Sequence, residues 1–465
     1  MRILLFTLVV WLLFRVCQTT RTVATPNILL IVADDMGYTD LGCYGNAYFE
    51  TPHLDKLATE GVRFTNAYAT CPVCSPSRAS FLTGRYPARI GLTNFIKGLK
   101  TDPQSPVLPA DYIDHLPLSE HTIAEMLKES GYQTALIGKW HLGENTQPEK
   151  SHPQRQGFDI VQDFDYGLLP RDNSYDWFKV GDTLNALKLP QLNAKITQHT
   201  LDFLRQRQHE KPFFLMMTHY AVHLPLQASP KLVEKYRRKP NPKPDEYNPI
   251  YAAMMEEMDA SIGVVLAELD KQNLRENTLI IFVSDNGGLV VDEAGDKQPT
   301  TCYPLRNGKG TLYEGGVRVA CLMSWRGKIT PLSVSDAIIS GVDLYPTLLE
   351  MVQGKKESIL DGSSFGAVFT QKVNKTVSNR PIFWHYPHFS NQGGRPSAAV
   401  RQGDYKLIVS LENGATELYN LKNDIGEKNN LATIEPDKTA ALKLLLSNWQ
   451  KQVKANMPKP NLTKK

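Results

Sequence analysis

Asn27–Ala33 reads NILLIVA, an unbroken apolar run with β-branched residues, and predicts a strand buried on both faces. Thr51-Pro52 supplies an N-cap and a first-turn proline for a short helix with Leu54, Leu57 and Ala58 on one face, closed by Gly61. The same grammar recurs. Ile123, Met126 and Leu127 line a helix ended by Gly131 and followed by a strand over 132–138, and Ile196, Phe203 and Leu204 precede a strand over 212–218. Met254, Met258, Ile262, Val265, Leu266 and Leu269 repeat at helical spacing ahead of a strand over 278–284. This alternation predicts an α/β layer fold, a large mixed but mainly parallel sheet flanked by helices. After about residue 375 the pattern changes to short strands over 381–386, 398–400 and 405–410 and a final helix over 437–453. We therefore expect a main domain over 25–375 and a smaller C-terminal α+β subdomain, built on an antiparallel sheet, over 376–465.

In open parallel sheets, ligands bind beyond the carboxyl ends of the strands, so the residues delivered there carry information. The strand over 27–33 runs into Asp34-Asp35 and the one over 278–284 into Asp285-Asn286. The strand over 132–138 runs into Lys139-Trp140-His141, and the one over 212–218 into His219 and then His223. Asp34, Asp35, Asp285 and Asn286 are hard oxygen donors, which suits Ca²⁺ or Mg²⁺ better than zinc. Singly, each pair also reads as a turn or helix cap; together with the lysine and histidines, the four favour a metal.

Composition changes the picture in two ways. At 465 residues, 42% hydrophobic and 22% charged, the chain has globular composition, neither disordered nor multi-span. Arg2, an apolar run over 3–14 and Thr22-Val23-Ala24 read as a signal peptide over 1–24, cleaved near Ala24, whose apolar run is too short to cross a bilayer. Cys17 as a lipid-attachment site fits the bulky Phe14-Arg15-Val16 poorly. Without that segment 49 basic residues face 48 acidic ones, which gives nucleic-acid binding no electrostatic support. Export, to a periplasm, the exterior or a secretory/lysosomal route according to host, permits disulfides. Five cysteines remain (Cys43, Cys71, Cys74, Cys302 and Cys321), so at least one is unpaired.

Cys71-Pro-Val-Cys74 admits thiol redox chemistry or half a zinc site, although no second Cys-x-x-Cys exists to complete one. The longer run Cys74-Ser-Pro-Ser-Arg78, followed by Leu82-Thr-Gly-Arg85, resembles the signature of the type I, formylglycine-dependent sulfatases, relatives of arylsulfatase A and N-acetylgalactosamine-6-sulfatase. NILLIVADDMGY (27–38), GKWHL (138–142), SDNG (284–287) and LRNGKGTLYEGGVR (305–318) resemble family segments in the family's order. The resemblance implies an alkaline-phosphatase-like fold and a sulfuric ester hydrolase. It implies that Cys74 is the residue oxidised to formylglycine by a maturing enzyme. Carried over position by position, Asp34, Asp35, Asp285 and Asn286 hold one Ca²⁺ per chain, with Mg²⁺ as the alternative. Arg78, Lys139, His141, His223 and Lys309 surround the sulfate. The serine that helps bind sulfate in some relatives has no placed counterpart, and the C-terminal subdomain matches only in general pattern.

These residue types suit the chemistry. A thiolate attacking sulfur leaves an S-sulfonated cysteine with no easy exit, whereas an aldehyde hydrate has a second hydroxyl to expel sulfate. Arg78, Lys139 and Lys309 offset charge on the sulfate oxygens; His223 or Lys309 protonates the leaving alcohol, and His141 deprotonates the remaining hydroxyl. For substrate we expect a sulfated carbohydrate of galactose or N-acetylgalactosamine type, or an aryl sulfate. The loop with His385, His388 and Arg395 offers stacking faces and hydroxyl partners; strand and turn packing is the alternative. The basic, proline-rich 229–249 stretch either touches a polyanionic glycan or is a solvated surface loop. Asn374-Lys-Thr376 and Asn461-Leu-Thr463 are glycosylation sequons. Two other functions compete: a phosphatase or phosphodiesterase of the alkaline-phosphatase-like group, and a catalytically silent sulfated-glycan binder.

Overall fold

A computed structural model describes residues 25–96, 98, 102–143, 148–162, 189–243, 245–293, 295–355, 359–370 and 379–462. The 1–24 segment, the Asn374 sequon and the 375/376 boundary lie outside the described residues. Eight strands form the main sheet: β1 (Asn27–Ala33), β2 (Val62–Phe64), β3 (Gln133–Gly138), β4 (Ile160–Gln162), β5 (Phe213–Thr218), β6 (Thr278–Ser284), β7 (Cys321–Ser324) and β8 (Ser333–Ser335). Their spatial order is β8-β2-β7-β6-β1-β5-β3-β4. Only β7 runs against its neighbours β2 and β6; the other pairings are parallel. The sheet is thus mixed and mainly parallel.

The uninterrupted apolar runs of the central strands follow from burial on both faces. Leu29, Ile31 and Ala33 of β1 enter one core with Met254, Met258, Ile262 and Val265, which belong to the long helix Pro249–Lys271. Ile28, Leu30 and Val32 enter the other, with Phe81 and Leu82 of Cys74–Thr83 and Ile123, Met126 and Leu127 of Ile123–Glu129. The Ile123 helix is fixed at its start by a capping box, Thr122 Oγ1 accepting from Glu125 N–H and Glu125 Oε2 from Thr122 N–H.

Beyond residue 379 four antiparallel strands follow in order: β9 (Ile382–Tyr386), β10 (Ser397–Gln402), β11 (Tyr405–Ser410) and β12 (Thr416–Asn420). Helix Pro436–Gln452 covers one face through Leu442, Leu446 and Trp449. The other face, with Ile382, Trp384 and Tyr386, packs onto Tyr68, Cys71, Val73, Leu312 and Val317 of the main domain.

Candidate active site

Four adjacent strands, β6, β1, β5 and β3, end side by side. Their register brings Asp34-Asp35, Asp285-Asn286, Lys139 and His223 to one edge. Gly138, at φ +113°, is required because a Cβ there would lie 1.8 Å from the Thr218 carbonyl oxygen. Lys139 therefore leaves β3 pressed against the end of β5. Cys74 opens the helix Cys74–Thr83, every residue of which is buried, and Gly84 ends it in the left-handed region. Ser77 Oγ donates to Cys71 O at 2.9 Å, and Ser75 Oγ accepts Ile96 N–H at 3.2 Å, so the small polar residues of the run fasten the loops on either side.

The side chains interlock. Lys139 Nζ lies 2.5 Å from Asp34 Oδ2 and Lys309 Nζ 2.5 Å from Asp35 Oδ2. Arg78 Nε donates to Asp285 Oδ2 at 2.8 Å, and its Nη1 to the Lys139 carbonyl at 3.0 Å. Asn286 Nδ2 donates to Asp35 Oδ1 at 2.8 Å, and Cys74 Sγ lies 3.8 Å from that same oxygen. His223 Nε2 is 3.5 Å from Asp35 Oδ2, while its Nδ1 donates to Leu224 O at 2.7 Å. His141 Nε2 donates to Ile96 O at 2.8 Å, and its Nδ1 is buried without a hydrogen-bond partner. The expected nucleophile, metal and sulfate residues thus form one cluster. The Ile96 carbonyl, which orients His141, was not foreseen; it lies in an irregular loop with no motif of its own.

Burial would raise the Asp34 carboxyl, but Lys139, His223, Arg78 and Lys309 hold it well below the usual carboxylate range. Asp35 is also lowered, burial being overcome mainly by Lys309 and His223. Asp285 is pushed up to about 7 by burial and by the Asp34 charge, with Arg78 working against both. Burial pushes the Cys74 thiol up, and it lowers His141 and His223 with help from Lys139 and Lys309 respectively.

One ligand atom each of Asp34, Asp35, Cys74 and His223 fall within 4.8 Å of one another. Asp34 Oδ1 and Asn286 Oδ1 are buried oxygens with no hydrogen-bond partner. Orphaned oxygens beside two further carboxylates are a donor set that fits a hard divalent cation. Asp34, Asp35, Asp285 and Asn286 are the residues that could hold it.

The loop residues separate. His385 does not face the cluster: strand alternation that turns Trp384 and Tyr386 toward the main domain sends His385 to the opposite face. There its Nε2 donates to Asn456 O at 2.8 Å and its Nδ1 meets Gln450 Nε2 at 3.2 Å. His388 pairs through Nε2 with Thr93 Oγ1 at 2.8 Å, and its Nδ1 is buried without a partner. Arg395 is half exposed, 2.6 Å from Glu412 and 3.2 Å from Asp102. Its loop touches the cluster's edge, because Gly394 and Ser390 pack on Gly310, next to Lys309. The 229–249 stretch is not a free basic patch: it contains the helix Pro230–Arg238, and Lys235 and Lys239 both pair with Glu50 at 2.6 and 2.8 Å. All five cysteines outside the 1–24 segment are free thiols. Asn461, the other sequon, is buried and donates through Nδ2 to Ser105 O at 3.0 Å. No helix among the described residues is long and apolar enough to cross a membrane.

Comparison with known proteins gives a consistent result. The profile of the Sulfatase family matches residues 26–354, and that of the N-sulphoglucosamine sulphohydrolase C-terminal region matches 307–455. A sulfatase of Formosa agariphila is 31% identical over 96% of this chain and 92% of its own. The N-acetylgalactosamine-6-sulfatase of Canis lupus familiaris is 34% identical over 82% of this chain and 71% of its own. Among solved structures, Ps i-CgsB in complex with k-i-k-neocarrahexaose superposes with a TM-score of 0.74 at 28% identity, covering 91% of this chain and 92% of that one.

Proposed function

The chain belongs to the sulfatase family and is a sulfuric ester hydrolase, and on that premise we propose that it hydrolyses sulfate monoesters of galactose- or N-acetylgalactosamine-type glycans, with Cys74 converted to formylglycine and one calcium ion bound. The observation that carries this reading is the position of Cys74. Its sulfur opens a buried helix, 3.8 Å from Asp35, inside a ring of three carboxylates and three cationic side chains. A divalent ion added to that balanced ring leaves it net positive, which suits an anionic ester.

Asp34, Asp35, Asp285 and Asn286 would hold the ion, which would supply Lewis-acid polarisation of a sulfate oxygen and a lowered pKa at the attacking hydroxyl. The hydrated aldehyde at position 74 would supply two hydroxyls: one would attack sulfur, its proton passing to Asp285 as the bond between sulfur and the alcohol oxygen breaks, and the other would lose its proton as the aldehyde re-forms and the carbon–oxygen bond to sulfate breaks. The other work falls to side chains. Arg78, Lys139 and Lys309 neutralise the sulfate oxygens, a preorganised electrostatic contribution that needs no rearrangement during reaction. Lys309 and His223 converge on one oxygen of Asp35 and stand on the leaving-group side, where they protonate the departing alcohol. His141 serves as base for the second hydroxyl: its Nε2–H is committed to Ile96 O, which leaves the Nδ1 lone pair for a proton. His388 and Arg395, on the loop beside Gly310, contact the sugar. A maturing enzyme must act on Cys74, and the 1–24 segment would direct export to where sulfated polysaccharides occur.

The test is mass. Conversion of the Cys74 CH₂SH to CHO lowers the mass of its peptide by about 18 Da, and we expect this in protein from its native host. Cys74→Ala should keep the fold and lose sulfate-ester turnover. Retained turnover in Cys74→Ala would refute the mechanism, and turnover of phosphate esters but not sulfate esters would refute the substrate class.

A further inference from the structure

We propose that Lys406 and Glu427 of the C-terminal domain are positioning residues for Lys309, so that the sulfate site depends on two charged residues that neither touch substrate nor lie in the main domain. The proposal rests on the reading of Lys309 as a cation of that site.

Lys309 sits on the 305–318 segment, which has little regular structure beyond the one-turn helix Glu314–Val317. Such a segment needs anchors from elsewhere. Its centre is held by Lys309 N–H to Gly288 O at 2.9 Å and Gly310 N–H to Pro72 O at 2.8 Å. Its C-terminal half is held by Glu314, whose carboxylate is fully buried. Glu314 Oε2 accepts from Tyr68 OH at 2.8 Å and Arg318 Nε at 2.7 Å, and its Oε1 accepts from Lys406 Nζ at 2.8 Å. Glu427 completes the arrangement. Its Oε2 accepts the Glu314 N–H at 2.7 Å, its Oε1 lies 3.1 Å from Lys406 Nζ, and its carbonyl accepts Arg306 Nη1 at 3.0 Å.

Arg306, at the other end of the segment, also bonds Tyr419 OH at 2.9 Å. Both ends of the stretch that carries Lys309 are therefore tied to the C-terminal domain, the Glu314 end through fully buried charges and the Arg306 end through a partly exposed guanidinium. Fully buried ion networks contribute little net stability but penalise any rearrangement that leaves one member unpaired. Such a penalty suits a device that holds one side chain at one place. The Gly287 turn is wedged against the same segment, since a Cβ there would lie 1.8 Å from the Gly315 carbonyl oxygen. Movement of the segment would thus also disturb the turn after Asp285-Asn286.

The experiment is a double-mutant cycle on the matured enzyme with an aryl sulfate. Lys406→Met/Glu427→Gln removes one positive and one negative charge together and keeps the buried balance. We expect kcat to fall about tenfold or more, because small misplacements of a reacting group are costly, with KM changed less than about twofold. Glu427→Ala, which unties the Glu314 N–H, should act in the same direction and decides the matter if the pair does not fold; Glu427→Gln, which keeps an acceptor oxygen, should restore most of the rate. In a Lys309→Ala background the same changes should cost less than about twofold further, because their effect runs through that lysine. Equal losses in both backgrounds, or no loss in either the pair or Glu427→Ala, would overturn the proposal. A Lys309→Ala enzyme as active as the parent would instead overturn the reading of the sulfate site, and the positioning role with it.

Discussion

Asp35 and His141 adopt φ of +61° and +56°, a conformation costing of order 1–3 kcal/mol for a residue with a Cβ. Both sit in the cluster, where such strain fixes the direction of a side chain. The two orphaned oxygens, Asp34 Oδ1 and Asn286 Oδ1, lead to the first residue-scale prediction. Asp34→Ala or Asn286→Ala should weaken Ca²⁺ binding in calorimetry by about 10-fold or more, and turnover should fall in parallel. Stoichiometric zinc in the purified protein, or full activity after exhaustive chelation, would contradict the calcium assignment. A second prediction separates the three loop residues. Arg395→Ala and His388→Ala should lower kcat/KM for a sulfated galactoside about 10-fold while changing a small aryl sulfate little, because a site that pairs with sugar hydroxyls discriminates strongly. His385→Ala should cost about 1–3 kcal/mol of stability through its lost bonds to Asn456 and Gln450 and leave the ratio of the two substrates unchanged. Equal losses on both substrates for Arg395→Ala and His388→Ala would remove the loop from the substrate site.

The turn that follows β1 shows how a single element end is held. Asp40 is completely buried; its Oδ2 accepts from Gly37 N–H at 2.8 Å and Tyr251 OH at 2.5 Å, and its Oδ1 from Thr300 Oγ1 at 2.7 Å. It therefore clamps the Asp34-Asp35 turn to the long helix and to the 295–305 region. Burial raises its carboxyl to about 6, even against the three hydrogen bonds. A carboxyl whose folded value lies above its unfolded one stabilises the fold below the unfolded value, and that contribution is lost as pH rises through the folded value. Between about pH 4 and pH 7 the protein should lose roughly 3 kcal/mol from this group, on the order of two pKa units. Asp40→Asn keeps the shape, with the amide donating to Thr300, and should abolish this part of the pH dependence of denaturant unfolding. A wild type and Asp40→Asn pair whose stability difference does not change with pH would refute it. Legibility follows the same logic at this scale. The central strands and their polar ends were readable because burial on both faces writes a continuous apolar run, interrupted only where chemistry is delivered. The short strands β2, β7, β8 and β12 were not, since three to five residues carry too little pattern to separate from loop. His385 was misread for another reason: sequence placed it on the strand correctly, but which face meets the active site is decided by what the sheet packs against. Lys235 and Lys239 looked free because their shared partner Glu50 lies 185 and 189 residues away in sequence, a separation that no local pattern reports.

At the scale of the whole molecule, the C-terminal sheet is distinct in topology but not in its core. Ile382, Trp384 and Tyr386 share one apolar cluster with Tyr68, Cys71, Val73, Leu312 and Val317, and Trp384 Nε1 donates to Ala69 O at 2.7 Å. The chain's last described strand, Lys459–Pro460, pairs with Val107–Leu108, and Lys459 meets Asp111 at 2.5 Å, so the end of the chain returns to the main domain. Removing residues 379–465 would uncover those side chains and leave the Glu314 carboxylate without Lys406, an apolar and an electrostatic loss together. Two domains joined in this way should unfold as one. We therefore predict a single calorimetric transition whose van't Hoff and calorimetric enthalpies agree, and a 25–378 fragment that is insoluble or unfolded rather than a weaker enzyme. Hydrogen exchange should show the β9 amides protected to nearly the same degree as those of β1, because local opening of the sheet would expose the shared cluster. Two separated transitions, or a soluble 25–378 fragment that still turns over an aryl sulfate, would show that the C-terminal domain is an accessory. It would also break the route by which the charge network reaches Lys309, since a catalytic domain that works without Glu427 has no need of it.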